Sequence, residues 1–302
     1  MEDLNSLAEG ERTLVRLMAC GPRAIGVLKE FLWEGKPSGI YQPRRWAVEA
    51  LASLGAKDVL LEYLRRDKDI SDPVVRLGEE AVENAAAREL ARWPSEEVWQ
   101  TLFEILQHRY LPGALETLGE FRRPEAVPYF VRALEDDICR SVAEDALRKI
   151  GEPAKPELNL AALTPWPGKD GETPSSLRRR SSAAGLLAEM GVSADQWPAL
   201  RPLMNETDPA ILVAVSRIAA QAGGAEDRAI AGRRLIAALQ SADWFYQGEI
   251  ENCLIELFDD VQPALEEEIT RRKRLLGKEP TFDPLLGILL RVKRRVEERG
   301  RK

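Results

Sequence analysis

The chain has 302 residues, of which 43 are Lys or Arg and 50 are Asp or Glu, so its formal net charge is −7. Hydrophobic residues make up 44% and charged residues 31%, which excludes a disordered chain and fits a soluble helical protein. No apolar run approaches the roughly 18 residues that a membrane-spanning helix needs. The acidic N-terminal stretch lacks the apolar core of a signal peptide. We therefore expect a cytoplasmic protein without a membrane span.

The three cysteines, Cys20, Cys139 and Cys253, are far apart in sequence and lie on helical patterns. An odd number at such spacings does not suit a disulfide framework or a metal site. We expect thiols in the protein core, kept reduced in the cytoplasm.

Residues 3–40 predict an atypical first helix pair. Leucines recur at helical spacing up to Gly21-Pro22, and a second apolar helical pattern follows. The end repeat of a stacked helical protein has to cover one open apolar edge, so an unusual composition is expected there.

The stretch from Pro43 to Leu64 predicts two short amphipathic helices. Pro43 suits the first turn of a helix, and Gly55 suits the left-handed position that ends one. Apolar residues between them recur at spacings of three and four, which indicates one buried face. Helices of about three turns are marginal alone, so this unit predicts further copies that pack against it.

Copies of this unit recur along the chain. The segment Ala50–Gly55 returns, with weaker versions included, as Ala114–Gly119, Ala146–Gly151, Leu186–Gly191 and Ile218–Gly223, and as Ala87–Arg92 without the glycine. Successive copies are 27 to 40 residues apart, which is the period range of stacked helix pairs.

The chain resembles the HEAT-repeat family. The run Asp72-Pro73-Val74-Val75-Arg76 before an alanine-rich helix, Gly151 after Ala146-Leu147, and the helix from Pro124 to Leu134 carry the resemblance. The nearest variety is the bacterial HEAT-like repeat first named in phycobilisome lyases. The resemblance covers most of residues 40–240 and implies that Asp72 with Arg76, and Asp136 with Arg140, bridge adjacent repeats.

The resemblance implies an all-α fold, a right-handed α-solenoid of about eight stacked antiparallel helix pairs. We expect a single domain over residues 1–302. HEAT-like repeats occupy residues 41–163 and 177–240, and residues 241–302 form a C-terminal pair with a basic capping helix. Both ends are expected to be capped, which favours a monomer.

A Pro/Gly-rich loop interrupts the pattern at residues 164–176. Three prolines and two glycines argue against helix there, and long loops between packed helices are often functional. Trp166 could contact a partner, or the loop could fold back so that Trp166 covers an apolar seam. Arg178-Arg179-Arg180 follows; the three arginines fan out around a helix, so a solvated face is preferred over an anion site.

The C-terminal part contains the aromatic triplet Trp244-Phe245-Tyr246, of which one member is expected to be exposed. Residues 269–302 contain 12 Lys/Arg and 4 Asp/Glu, whereas the remainder contains 31 and 46. The basic final helix could contact a membrane surface or nucleic acid, or could cap the stack with a solvated outer face. The acidic body argues against a DNA-binding solenoid.

In HEAT proteins the second helix of each pair lines the concave side, and aligning these helices predicts a groove. Glu62 and Glu104 fall at its N-terminal end, and arginines follow later, so the groove is expected to become more basic along the chain. A surface of mixed charge suits a protein or peptide partner. The predicted binding residues are Glu62, Glu104, Tyr129, Arg132, Trp166, Arg201 and Arg234.

No sequence motif points to a catalytic residue, a metal or a cofactor. His108 is the sole histidine, and its place at a helix end near the dipole's negative pole accounts for it. Phosphate-binding, dinucleotide-binding and zinc-binding spacings are absent from the sequence, and carboxylate pairs such as Glu79-Glu80 are expected at the surface. The preferred function is a non-catalytic scaffold. The alternatives are a bilin lyase or chromophore chaperone and a HEAT-like DNA glycosylase.

Overall fold

The computed structural model describes residues 2–34, 40–66, 68–169, 171–276 and 283–299. Most of these residues are helical, and one hairpin of two-residue strands is present among them. The prediction of an all-α protein is confirmed. Within the described ranges, no helix is both long and apolar enough to cross a membrane. The chain forms two compact units, Met1–Ile150 and Gly151–Lys302.

The first unit contains ten α-helices among its described residues. They are α1 (Glu2–Asn5), α2 (Gly10–Ala19), α3 (Ala24–Glu34), α4 (Gln42–Ser53), α5 (Lys57–Leu64), α6 (Pro73–Glu89), α7 (Glu96–His108), α8 (Pro112–Phe121), α9 (Val127–Ala133) and α10 (Arg140–Ile150).

The first helices of successive pairs pack side by side in this unit. Helix α4 packs against α6, α6 against α8, and α8 against α10, while α5 packs against α4 and α6. Their contacting faces consist of apolar side chains, several of them alanines. Among these residues, Ala47, Leu51, Val82, Ala86 and Leu115 are fully buried. Alanine at these positions lets the helix axes approach closely, and burial of the leucines and valines supplies the main stabilisation.

The repeat glycines do not all end helices. Gly55 adopts φ +77°, as predicted, and α4 ends at Ser53, two residues before it. Gly119 instead lies inside α8, which continues to Phe121 and is followed by Arg122 in the left-handed conformation. The shared glycine therefore marks a helix end at one copy and a position within a helix at another.

Two predicted bridging aspartates cap helices. Asp72 Oδ1 accepts hydrogen bonds from the backbone N–H groups of Val74 (2.8 Å) and Val75 (3.2 Å). Asp136 Oδ1 accepts in the same way, at 2.9 Å from each donor, from the two backbone N–H groups just before α10. These carboxylates thus satisfy backbone donors at the start of the helix that follows each of them.

The second unit contains eight described α-helices and the hairpin. They are α11 (Lys155–Leu163), β1 (Pro167–Gly168), β2 (Gly171–Glu172), α12 (Pro174–Met190), α13 (Trp197–Leu200), α14 (Pro209–Ala222), α15 (Ala225–Ala238), α16 (Trp244–Glu256), α17 (Phe258–Leu276) and α18 (Pro284–Arg299).

Side-by-side packing recurs in this unit. Helix α12 packs against α14, α14 against α16, and α16 against α18, while α15 packs against α17. The predicted loop over 164–176 is shorter than expected, because the Thr173 hydroxyl caps α12 at the backbone N–H of Ser176 (3.2 Å) and Pro174 takes the first helical position.

Two predictions of burial and exposure need correction. Cys139 and Cys253 are buried, but Cys20 is exposed and lies just after the last residue of α2. Trp244 is 84% exposed and Phe245 52% exposed, so two members of the aromatic triplet face solvent rather than one. Both lie in the first turn of α16, ahead of the part of that helix that is buried.

Several basic side chains of the final helix form ion pairs within the second unit. Arg291 and Arg295 lie 3.1 and 3.2 Å from the carboxylate of Glu251, and Lys293 lies 2.6 Å from Glu266. This helix is therefore held by apolar packing and by ion pairs to α16 and α17.

Candidate functional site

The first unit contains a cluster of charged side chains built on α6. Glu79 and Glu83 are one turn apart on this helix and are 3% and 2% exposed. A spacing of four residues places both on one helix face, here the face turned toward α4 and α5. Buried carboxylates need hydrogen-bonding or charged partners, and four neighbouring segments supply them.

Arg44 on α4 binds the inner carboxylate. Its Nη1 forms an ion pair with Glu79 Oε2, and its Nη2 donates to the Leu32 carbonyl oxygen at 3.0 Å. The same Nη2 lies 3.1 Å from the hydroxyl oxygen of Tyr63. Because Arg44 is itself buried, this ion pair fixes α4 against α6.

Tyr63 and Lys68 approach the carboxylates from the other side. The fully buried Tyr63 on α5 donates its hydroxyl proton to Glu79 Oε1. Lys68, just beyond α5, places Nζ 2.6 Å from Glu79 Oε1 and 2.9 Å from Glu83 Oε1. Its ammonium also lies 3.6 Å from the centroid of the Tyr63 ring, a cation–π contact.

Arg109 completes the cluster. It follows the last residue of α7 and places Nη1 2.6 Å from Glu83 Oε2. Unlike Arg44, its side chain is 41% exposed. Arg109 is therefore the member of the cluster that meets both a buried carboxylate and solvent.

The cluster fixes two protonation states. Burial alone would raise the pKa of Glu79, but the hydrogen bond from Arg44 and the charge of Lys68 lower that pKa to about 2. Burial raises the pKa of Tyr63, and the Glu79 carboxylate adds to this effect against the opposing charge of Arg44. Glu79 is therefore an anion and Tyr63 a neutral hydrogen-bond donor near neutral pH.

An open cleft of about 490 Å³ lies over this cluster, between α5, α6 and α7. We call it the charged cleft. Its cationic lining residues are Arg65, Arg66, Lys68, Arg76 and Arg109, and its acidic lining residues are Glu79, Glu80, Glu83 and Glu104. Leu64, Ile70, Thr101, Ile105 and His108 complete the lining.

Five charged residues of the cleft lie outside the buried cluster. Arg65 pairs with Glu97 at 3.4 Å, and the other four are Arg66, Arg76, Glu80 and Glu104. Arg66 stacks over the Trp33 ring at 5.2 Å. Within the part of the chain that the structure describes, none of the four forms an ion pair. These side chains leave charges of both signs open to a ligand.

Of the predicted groove residues in the first unit, one lines the charged cleft. Glu104 lines the charged cleft. Glu62 pairs with Lys29 at 2.7 Å and does not line it. Tyr129 on α9 meets the edge of Phe103 at 5.3 Å between ring centroids, and Arg132 is exposed beside Glu135 at 3.9 Å.

Trp166 is folded onto its own unit. The guanidinium carbon of Arg179 lies 3.8 Å from the centroid of the Trp166 ring, and the Trp166 backbone N–H donates to Ser176 Oγ at 2.8 Å. Arg179 also donates to the Thr164 carbonyl oxygen at 2.6 Å. The half-buried indole therefore lies against α12, where it stacks on the Arg179 guanidinium.

The arginine run was wrongly predicted to be a solvated face. Arg179 and Arg180 are buried, at 6% and 2% exposure. Arg180 forms ion pairs with Glu172 at 2.6 Å and Glu206 at 2.5 Å, and donates to the Ala162 carbonyl oxygen at 2.9 Å. The hairpin brings Glu172 over the helix, which the sequence pattern did not indicate.

Two predicted residues of the second unit come together. Arg201 lines an open groove of about 430 Å³ with Pro198 and Asn205, and Arg234 lies 3.3 Å from Asn205 Oδ1. Arg201 also pairs with Asp227 at 2.7 Å. Arg201 and Arg234 therefore lie near Asn205 on neighbouring segments, and a groove that both line stays a prediction.

The buried cluster itself was missed by sequence reasoning. Glu79 was assigned to the surface with Glu80, but Glu79 is buried because its helix position faces Arg44. A signal was present: Glu79 and Glu83 share a helical face with the buried Val82 and Ala86. Charged residues on an apolar helical face indicate buried partners, whose identity the sequence alone does not give.

His108 lies exposed at the end of α7, on the lining of the charged cleft. Across the described residues, no group of three or more His, Cys, Asp or Glu side chains is arranged to hold a metal ion.

Comparison with known proteins gives no family. No family model matches the chain, and a sequence search finds no curated protein that matches it.

Proposed function

We propose that the chain is a HEAT-like α-solenoid that acts as a non-catalytic scaffold for a protein or peptide partner. The packing of α4, α6, α8 and α10, each against the next, supports the solenoid arrangement of the first unit. The same order of packing in α12, α14, α16 and α18 supports it for the second unit. In such a stack each repeat contacts only its neighbours and leaves one extended face for binding.

The charged cleft is the proposed binding site. The main support for this proposal is that the charges of Arg66, Arg76, Glu80 and Glu104 are open to a ligand. Charges that a protein does not pair internally give specificity when a partner presents the complementary pattern. A peptide segment that carries both an acidic and a basic side chain fits this lining.

The rigidity of the cleft wall supports the same function. Arg44, Lys68 and Arg109 bind Glu79 and Glu83 from three segments and hold α4, α5, α6 and the end of α7 in place. A preformed surface loses less conformational entropy on binding than a mobile one, so more of the contact energy appears as affinity.

Selection from a random peptide library displayed on phage tests this function. The full chain is compared with the double variant Arg76→Glu/Glu104→Lys, which keeps the net charge but exchanges the signs of two open charges. The matched control is Arg88→Glu/Glu116→Lys, which reverses an exposed ion pair of 2.6 Å outside the cleft. We expect wild type and control to enrich the same peptides and the cleft variant to lose them. Equal enrichment by all three proteins would place binding elsewhere and contradict the proposal.

A further inference from the structure

The charged cleft holds more positive than negative charge. Among the residues that the structure describes, the cleft lining comprises five cationic side chains and four carboxylates. The cationic members are Arg65, Arg66, Lys68, Arg76 and Arg109, and the acidic members are Glu79, Glu80, Glu83 and Glu104. Opposite charges attract across the cleft, so this excess favours one further anion.

The surrounding unit has the opposite charge. Residues 1–150 contain 21 Lys/Arg and 27 Asp/Glu. The cleft is thus a local positive region on an acidic unit. An anionic group is attracted to the cleft and repelled by most of the remaining surface, which directs it to this place.

Arg109 is the residue placed to receive that anion. Glu83 binds one side of its guanidinium, at 2.6 Å from Nη1, while 41% of the side chain stays open to the cleft. A guanidinium has five N–H donors, so a second acceptor can bind without displacing Glu83. Lys68, held between Glu79 and Glu83, adds positive charge beneath it.

The other open charges define which anion fits. Glu80 and Glu104 also line the cleft, so a multiply charged group such as a phosphate would meet repulsion from both. A single carboxylate satisfies the excess of one charge. Arg76 lies seven residues before Glu83 on α6, about 10 Å along the helix axis, and can bind a second acceptor of the same ligand.

We propose that the charged cleft binds its peptide partner through a carboxylate that is held by Arg109. This inference rests on the proposed scaffold function and names the group that the cleft recognises. The carboxylate comes from an acidic side chain or from the C-terminus of the partner, and both sources offer the same planar pair of oxygen acceptors to the guanidinium.

A double-mutant cycle tests the proposal. Peptides enriched by the full chain are synthesised with each Asp or Glu replaced by Asn or Gln, and with a free or amidated C-terminus. Each is titrated against wild type, Arg109→Gln, Arg109→Lys and the exposed-arginine control Arg88→Gln. Circular dichroism tests whether each variant is folded. If Arg109→Gln is not folded, Arg109→Lys takes its place in the cycle.

We expect removal of one carboxylate to weaken binding to wild type about tenfold or more. Removal of the same carboxylate should change peptide binding to Arg109→Gln little, and should weaken binding to Arg88→Gln as much as binding to wild type. Loss on amidation assigns the carboxylate to the C-terminus, and loss on an Asn or Gln replacement assigns it to a side chain. Peptides that bind the cleft equally well without any carboxylate would overturn this inference and leave the scaffold function standing. If no peptide is enriched, both fail.

Discussion

Lys68 places its ammonium nitrogen 2.6 Å from Glu79 Oε1, although Glu79 lies on the next helix and is almost fully buried. This contact closes a cluster in which one carboxylate binds Arg44, Tyr63 and Lys68 together. The wall of the charged cleft is therefore also a polar part of the core. Substitutions that break the cluster should disturb stability and the cleft at the same time.

Replacement of Glu79 by Ala should be strongly destabilising. The variant leaves Arg44 buried without its carboxylate, and removal of one partner of a buried ion pair costs about 3–5 kcal/mol. The matched control is Glu116→Ala, which removes an exposed partner of Arg88 and should cost about 0–1 kcal/mol. Urea unfolding followed by circular dichroism measures both. Similar midpoints for the two variants would mean that the buried cluster contributes little to stability.

Acid should weaken the first unit through Glu79. The folded-state pKa of this carboxyl is lowered from 4.5 to about 2, so its contribution is present above pH 4.5 and is lost as the pH falls toward 2. A shift of this size corresponds to a contribution on the order of 3 kcal/mol. Wild type should lose stability over this range relative to Glu79→Gln, whose residue 79 does not titrate. Parallel urea midpoints of the two proteins from pH 6 to pH 2 would refute this assignment.

Sequence patterns predicted the helices better than they predicted the site. Apolar spacing and the caps at Pro43 and Asp72 located the helix pairs because these signals are local. The bonds of Arg44 to Glu79 and of Arg180 to Glu206 join residues 35 and 26 positions apart. Such pairs depend on tertiary packing, and a single sequence contains many charged residues that could form them. The same reason explains why the arginine run was assigned to solvent.

Loss of Arg180 should loosen the hairpin. Arg180 connects Glu172 of β2 with Glu206 and the Ala162 carbonyl oxygen, so Arg180→Ala leaves these acceptors without their donor. We expect faster cleavage by trypsin after the exposed Lys169, together with a stability loss of about 3–5 kcal/mol. Arg201→Ala, which removes a half-exposed ion pair of the same unit, is the control and should leave cleavage at Lys169 unchanged. If the two variants are cut at equal rates, Arg180 does not hold the hairpin.

Gly232 should not tolerate alanine, because α15 and α17 approach each other closely at this position. A Cβ atom there would lie 1.9 Å from Val261 Cγ1, so the helices would have to separate. Overpacking of this kind costs about 1–3 kcal/mol. Gly248→Ala is the matched control: it also lies within a helix, its Cβ would meet no atom within 4 Å, and the higher helix propensity of alanine should stabilise it by up to about 1 kcal/mol. Thermal unfolding should shift in opposite directions for the two variants, and Val261→Ala should recover part of the loss in Gly232→Ala. A shift in the same direction for both would show that propensity, rather than the contact with Val261, decides the effect.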